Sequence, residues 1–290
     1  NRTKPIEPTE PTAPNTLMTA PLRPALRYHG GKWKLAPWII SHFPAHRIYV
    51  EPFCGAASVL LRKPRASTDV LNDTDGDIVN LFRVLRDAPS AFQLQRALEL
   101  TPFARAEFEL AYQPCSDPIE RARRLVCRAA MGFGANAVST SSTGFRNNTI
   151  RPGSTPAADF ASWPAHVPAL VQRLQGVVIE NRPALEVIRI FDTPETLFYI
   201  DPPYPISTRN RRNRYRHEMT DDEHRALAYY LRSLQGMTVV SGYPCELYDR
   251  ELYPDWQRVE RKTFADGARA RIEVLWLSSN IRRENLMFQD

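Results

Sequence analysis

Four consecutive residues, Asp201-Pro202-Pro203-Tyr204, bring together a carboxylate, backbone carbonyls and an aromatic ring. Each proline fixes φ and removes an N–H donor, so the corner is stiff and its carbonyls have no local amide to bond. Such a corner suits an exocyclic amine on a flat ring. The carboxylate and a carbonyl accept its two N–H groups, and the aromatic side chain stacks on the ring. Taken alone, these four residues fit an ordinary proline-rich turn equally well.

Three further stretches could supply a second ligand. In Tyr28-His29-Gly30-Gly31-Lys32 the glycine pair lets the backbone pass close to a ligand, and Lys32 sits where it could meet an anion. By itself this stretch is more simply a turn with solvated lysines. Glu51-Pro52-Phe53-Cys54-Gly55-Ala56-Ala57-Ser58 is a turn of small residues between a short apolar run and a helical pattern. Strand, small-residue turn and helix form the first half of a dinucleotide-type crossover. No G-x-G-x-x-G is present, so a pyrophosphate cofactor is not indicated. About twenty residues on, Asp73 ends a second strand, the position of an acceptor for ribose hydroxyls. Asp73 and Asp75 also precede a helix, and Asp75 is a fitting N-cap.

These residues need elements to hold them. The apolar runs 47–51, 68–72, 177–180, 196–200 and 237–241 read as strands, with helical patterns at 35–43, 58–62, 78–86, 165–174, 184–190 and 221–234. This is an alternating β/α chain, closed by two strands at 256–262 and 271–277 that read as an antiparallel pair. Between residues 89 and 153 the alternation is lost. Helices at 91–110 and 118–130 lead there into a polar loop. Arg124, Asn136, Arg146 and Asn147 are chemically able to meet phosphates and base edges, though a solvated surface would look similar. Directly after the proline corner come Arg209, Arg211, Arg212, Arg214 and Arg216, then His217. Guanidinium groups match phosphate geometry and stay charged, which favours a phosphate-contacting loop over a merely solvated face.

Composition excludes several classes. With 290 residues, 43% of them hydrophobic, the chain can bury a substantial core. No apolar run is long enough for a membrane span and no signal pattern opens the chain, so a cytoplasmic protein without a membrane partner is expected. Residues 1–24 are rich in proline and polar residues and read as a disordered leader. The four cysteines form no C-x-x-C pair, and Pro44 separates His42 from His46, so neither a metal site nor a disulfide framework is expected. The net charge of +6 is compatible with a nucleic-acid partner.

Together these stretches resemble the Dam-like DNA adenine-N6 methyltransferases. Tyr28-His29-Gly30-Gly31-Lys32 is similar to that family's aromatic-x-Gly-Gly-Lys motif. Glu51 to Ser58 resembles its Glu-Pro-Phe-x-Gly-x-Gly-Ser loop, Asn72-Asp73-Thr74-Asp75 its ribose segment, and Asp201-Pro202-Pro203-Tyr204 its catalytic motif. The order and spacing of the four carry the resemblance. Ala57 stands where the family has its second glycine, which would narrow the room beside the cofactor. The loop 135–148 does not resemble the segment with which GATC-specific members read their site, so the target sequence stays open.

The resemblance implies an α/β fold. A Rossmann-like class I methyltransferase sheet with an antiparallel C-terminal hairpin would carry an inserted, mostly helical target-recognition domain. The catalytic domain would span 25–88 and 166–280, the insertion 89–165, and a tail 281–290. It also implies S-adenosylmethionine as cofactor and double-stranded DNA as partner. Tyr28, Gly30, Lys32, Glu51, Phe53, Gly55, Asp73 and Asp201 would line the cofactor site. Asp201, Pro202, Pro203 and Tyr204 would hold a flipped adenine, with Tyr204 stacked on it. A cytosine-N4 methyltransferase is the nearest alternative, because the same corner can hold that amine. A non-catalytic DNA-binding module on the same fold is the next.

Overall fold

The structure, a computed structural model, describes residues 20–28, 30–133, 143–147, 155–208, 216–264 and 270–281. Its helices and strands follow in chain order: α1 (Ala36–Ile40), β1 (Ile48–Glu51), β2 (Thr68–Asn72), α2 (Gly76–Arg86), α3 (Ala88–Glu99), α4 (Arg105–Leu110), α5 (Pro118–Met131), α6 (Pro156–Ala161), α7 (Val167–Leu174), β3 (Val178–Glu180), α8 (Ala184–Phe191), β4 (Thr196–Ile200), α9 (Asp221–Leu231), β5 (Met237–Gly242), β6 (Gln257–Phe264) and β7 (Ala270–Leu277).

The seven strands form one sheet in the order β3-β2-β1-β4-β5-β7-β6. β3, β2, β1, β4 and β5 run parallel, while β7 pairs antiparallel with both β5 and β6. Strand order reverses at β1 and β4, which lie side by side with Val50 opposite Phe198. In an open sheet the crevice beyond the carboxyl ends at such a reversal is where ligands bind. The Glu51 and Asp201 ends of β1 and β4 meet at that point.

β4 is buried at all five positions, as its unbroken apolar sequence requires of a central strand covered on both faces. Successive side chains point to opposite faces. Tyr49 accordingly joins one apolar cluster with Phe82, Leu94, Leu125 and Leu170, and Val50 joins another with Val187, Leu227 and Trp276. The helices of the 89–165 segment thus share the core of the first sheet face, where α5 and α3 pack against α2. Trp163 Nε1–H donates to the Ala25 carbonyl at 3.1 Å, tying the end of that segment to the start of the fold.

Two helices differ from their sequence expectations. The helix expected over 91–110 is two, α3 and α4, because Pro102 bars the residue before it from the helical region. The helix expected over 58–62 is a series of turns. There the Leu60 N–H donates to Glu51 Oε1 at 2.7 Å instead of to a carbonyl one helical turn back.

Candidate active site

The carboxyl ends of β1, β2 and β4 open on a pocket enclosing about 720 Å³ of empty space, including its mouth. Tyr28, Gly30, Lys32, Glu51, Phe53, Gly55, Asp73 and Asp201, the eight residues expected around a cofactor, all line it, together with Pro203 of the proline corner.

The turn after β1 is held by acids. Gly55 has φ 47°, a left-handed conformation that suits glycine, and a Cβ there would meet the Tyr28 ring at 2.8 Å. Its N–H donates to Asp73 Oδ2 at 2.9 Å, and the Asp75 N–H donates to Asp73 Oδ1 at 2.9 Å. Asp73 thus clamps the β1 turn onto the end of β2, and burial pushes its carboxyl up to about 6. Asp75 caps α2, accepting from the Asp77 N–H at 2.9 Å.

Glu51 is fully buried. Its Oε1 accepts from Tyr49 Oη–H and from the Leu60 N–H, both at 2.7 Å, and desolvation raises the carboxyl to about 7. Buried Asn72 was read from the sequence only as part of the ribose segment, with no role of its own. It donates to the carbonyls of Pro52 and Arg182 at 2.8 and 3.0 Å, tying the turn after β1 to the loop after β3. Cys54 is buried and its thiol is pushed far up, which suits packing rather than nucleophilic attack. Ala57, at φ 50°, is absent from the pocket wall. Alanine in place of glycine therefore strains the backbone.

At the proline corner both Asp201 oxygens are engaged. Ser241 Oγ–H donates to Oδ1 at 2.9 Å, and Lys32 Nζ lies 3.0 Å from Oδ2. Lys32 also donates to the Gly30 carbonyl at 2.8 Å, lies 3.6 Å from Glu273 Oε1, and sits 4.8 Å from the centre of the Tyr204 ring. Tyr204 is only 2% exposed, and its hydroxyl donates to Glu273 Oε1 at 2.6 Å. Tyr204, expected to stack on a bound base, faces the protein interior here. The ring packs edge-on against Tyr243, 4.7 Å between centroids, inside the protein. Neither Ser241 nor Glu273 was singled out from the sequence. An acid within the apolar run of β7 was the one local signal.

The residues expected at nucleic acid separate into groups. Arg216 Nη1 lies 3.1 Å from both Asp75 Oδ1 and Asp77 Oδ2, and with His217 it lines the pocket. Asp77 also pairs with Arg121 and Arg128 of α5, at 2.8 and 3.1 Å. Arg124 is engaged within the protein. Its guanidinium donates to Glu120 at 2.7 Å and to the Gln113 and Pro114 carbonyls at 2.8 and 3.3 Å, which commits it to holding the chain before α5. Arg146 lines a second pocket with Arg23 and Arg27, and Asn147 beside it is exposed. Asn136, Arg209, Arg211, Arg212 and Arg214 lie outside the described residues.

The main pocket is ringed by four carboxylates, Glu51, Asp73, Asp75 and Asp201. Ser58 Oγ and Asp75 Oδ2 are buried in its wall without a hydrogen-bond partner in the described structure. Buried polar atoms are normally paired, so the site suits a ligand with hydroxyl and cationic groups.

Residues 28–112 match the family model of the D12 class N6 adenine-specific DNA methyltransferases. The chain is Dam-like over this stretch. The match contains three of the four motifs read from the sequence and ends before the proline corner. The chain is also 32% identical over 106 residues to the DNA adenine methylase of Salmonella typhi, covering 34% of this chain and 37% of that protein. It is 38% identical over 74 residues to the DNA adenine methylase of Vibrio cholerae, covering 24% of this chain and 25% of that protein. The same protein of Escherichia coli K12 is 32% identical over 106 residues, covering 34% of this chain. The matched stretches span from a quarter to little more than a third of the length of these relatives.

Proposed function

We propose that the chain transfers a methyl group from S-adenosylmethionine to the exocyclic N6 of an adenine in double-stranded DNA. One observation carries this reading: Asp201 stands at the carboxyl end of β4 and is bonded through Lys32 to the glycine turn that walls the pocket. An amine acceptor and a ligand pocket thus share one edge of the sheet. The match of residues 28–112 to an adenine-specific family supports the choice of base.

The residues present fit S-adenosylmethionine. Its sulfonium and amino groups are cationic and would meet the acidic ring of the pocket, and its ribose hydroxyls suit Asp73 and the unpartnered oxygens of Ser58 and Asp75. When bound, this donor supplies a methyl group on a positive sulfur, which is already a strong electrophile. The chain's task is therefore the nucleophile, since the N6 lone pair is delocalised into the adenine ring.

Asp201 accepts one N6–H and the Pro202 carbonyl accepts the other. Both bonds strengthen as the nitrogen becomes positive, which is binding specific to the transition state. With Tyr204 buried, Pro203 in the pocket wall supplies the apolar face against the base. The adenine must leave the duplex to reach this corner, at a cost of a few kcal/mol. Arg209, Arg211, Arg212 and Arg214 contact phosphates, while Arg216 is paired with Asp75 and Asp77 at the pocket, and the loop that bears Arg146 and Asn147 reads the site. A cytoplasmic setting, where DNA is accessible, follows from the same reading.

The test uses DNA incubated with labelled S-adenosylmethionine and then digested to nucleosides. Label in N6-methyl-2′-deoxyadenosine, lost in Asp201→Ala with DNA binding retained, is the expected result. Label in N4-methyl-2′-deoxycytidine, or undiminished transfer by the variant, would sink the reading.

A further inference from the structure

Glu273 is an acid in the interior of an apolar strand. It is 2% exposed, and its neighbours on β7 include Ile272, Val274 and Leu275. Burying a carboxylate is costly, and a hydrophobic residue of similar size often replaces a buried ion pair with no loss of stability. An acid at this position therefore calls for a task other than packing.

Its surroundings suggest one. Glu273 Oε1 accepts from Tyr204 at 2.6 Å and lies 3.6 Å from Lys32 Nζ, whose other carboxylate partner is Asp201 at 3.0 Å. Among these three groups, two carboxylates and one ammonium leave one net negative charge, with the Arg271 guanidinium farther out over the Tyr243 ring at 5.2 Å. Without Glu273, Lys32 would neutralise Asp201, and the corner would offer the amine hydrogen-bond acceptors but no net charge.

We propose that Glu273 is a positioning residue for methyl transfer, holding Lys32 and Tyr204 in one cluster and keeping the Asp201 corner net negative as positive charge arrives on the accepting nitrogen. The inference rests on the methyltransferase reading above. Charge held in place before the reaction, in a site shielded from water, acts more strongly than charge in solvent. Glu273 acts through Lys32 and Tyr204 and need not touch the substrate.

The test compares Glu273→Gln and Glu273→Asp with the parent chain. Glutamine keeps an oxygen to accept from Tyr204 and removes only the charge. For Glu273→Gln, kcat should fall by about tenfold to a hundredfold. The KM values for DNA and donor should stay within about threefold, because the lost interaction belongs to the transition state. Calorimetric affinity for S-adenosylmethionine and the thermal midpoint should hold, and Glu273→Asp should recover part of kcat. An unchanged kcat in Glu273→Gln overturns the proposal, and so does a loss of activity matched by a loss of donor affinity. The parent assay separates the two levels. If the parent transfers no methyl to DNA, the functional reading fails and this proposal with it; if parent and Glu273→Gln transfer equally well, only the role of Glu273 fails.

Discussion

Lys32 Nζ and Asp201 Oδ2 lie 3.0 Å apart, a buried ion pair that joins the glycine turn near the start of the fold to the corner after β4. Lys32 is 5% exposed. Removing it leaves two carboxylates, Asp201 and Glu273, without the ammonium that lies between them. Lys32→Met should lower the unfolding free energy by about 3–5 kcal/mol, the usual cost of breaking a buried pair from one side. Urea denaturation reads this directly, and a loss below about 1 kcal/mol would place the pair among weak surface contacts.

Ala57 should gain from becoming glycine. At φ 50° its Cβ costs about 1–2 kcal/mol, against about 0.5–1 kcal/mol for the extra freedom of glycine in the unfolded chain. Ala57→Gly should therefore raise stability by up to about 1 kcal/mol while donor affinity stays the same. A destabilised variant in the same urea titration would count against backbone strain at this position.

Glu51 should impose a pH dependence on stability. Its folded pKa is raised from 4.5 to about 7, so the folded state holds a proton that the unfolded state has released. The associated stability is fully present below about pH 4.5 and is lost as pH rises through about 7. Asp73, raised to about 6, acts in the same direction. Glu51→Gln keeps an oxygen for Tyr49 and Leu60 and removes the titration. Its urea midpoint should decline less between pH 4.5 and 7.5 than that of the parent chain; equal slopes would remove Glu51 as the cause.

Arg216 is paired with Asp75 and Asp77 beside the pocket, which makes it part of the pocket wall. Arg216→Ala should leave the salt dependence of DNA binding unchanged, whereas the loss of a phosphate contact would lower the slope by about one. The partial exposure of the pair limits the stability change to about 1 kcal/mol. DNA affinity measured across a series of salt concentrations decides between the two.

Much of the fold is written in short-range pattern. The apolar run 196–200 becomes the central strand β4, and Asp73 follows directly on β2. The small residues 54–58 become the tight turn that lines the pocket. These features were legible because strand burial and turn formation depend on residues a few positions apart. The same holds for Lys32 and Asp201 as reactive residue types. Their pairing, however, spans most of the chain, as does that of Lys32 with Glu273 of β7, and Ser241 of β5 reaches the corner from a different strand 40 residues on. The turns at 58–62 formed because Glu51 reaches Leu60 across the β1 loop, and Tyr204 turned inward because Glu273 was there to accept its hydroxyl. Arg124 found partners in Gln113 and Pro114 that no charge count predicts. Residue type and local period thus set which groups carry the chemistry and which segments are strands. The partner of each charged group depends on which strands lie side by side in the sheet, an arrangement made by contacts between residues far apart in the chain.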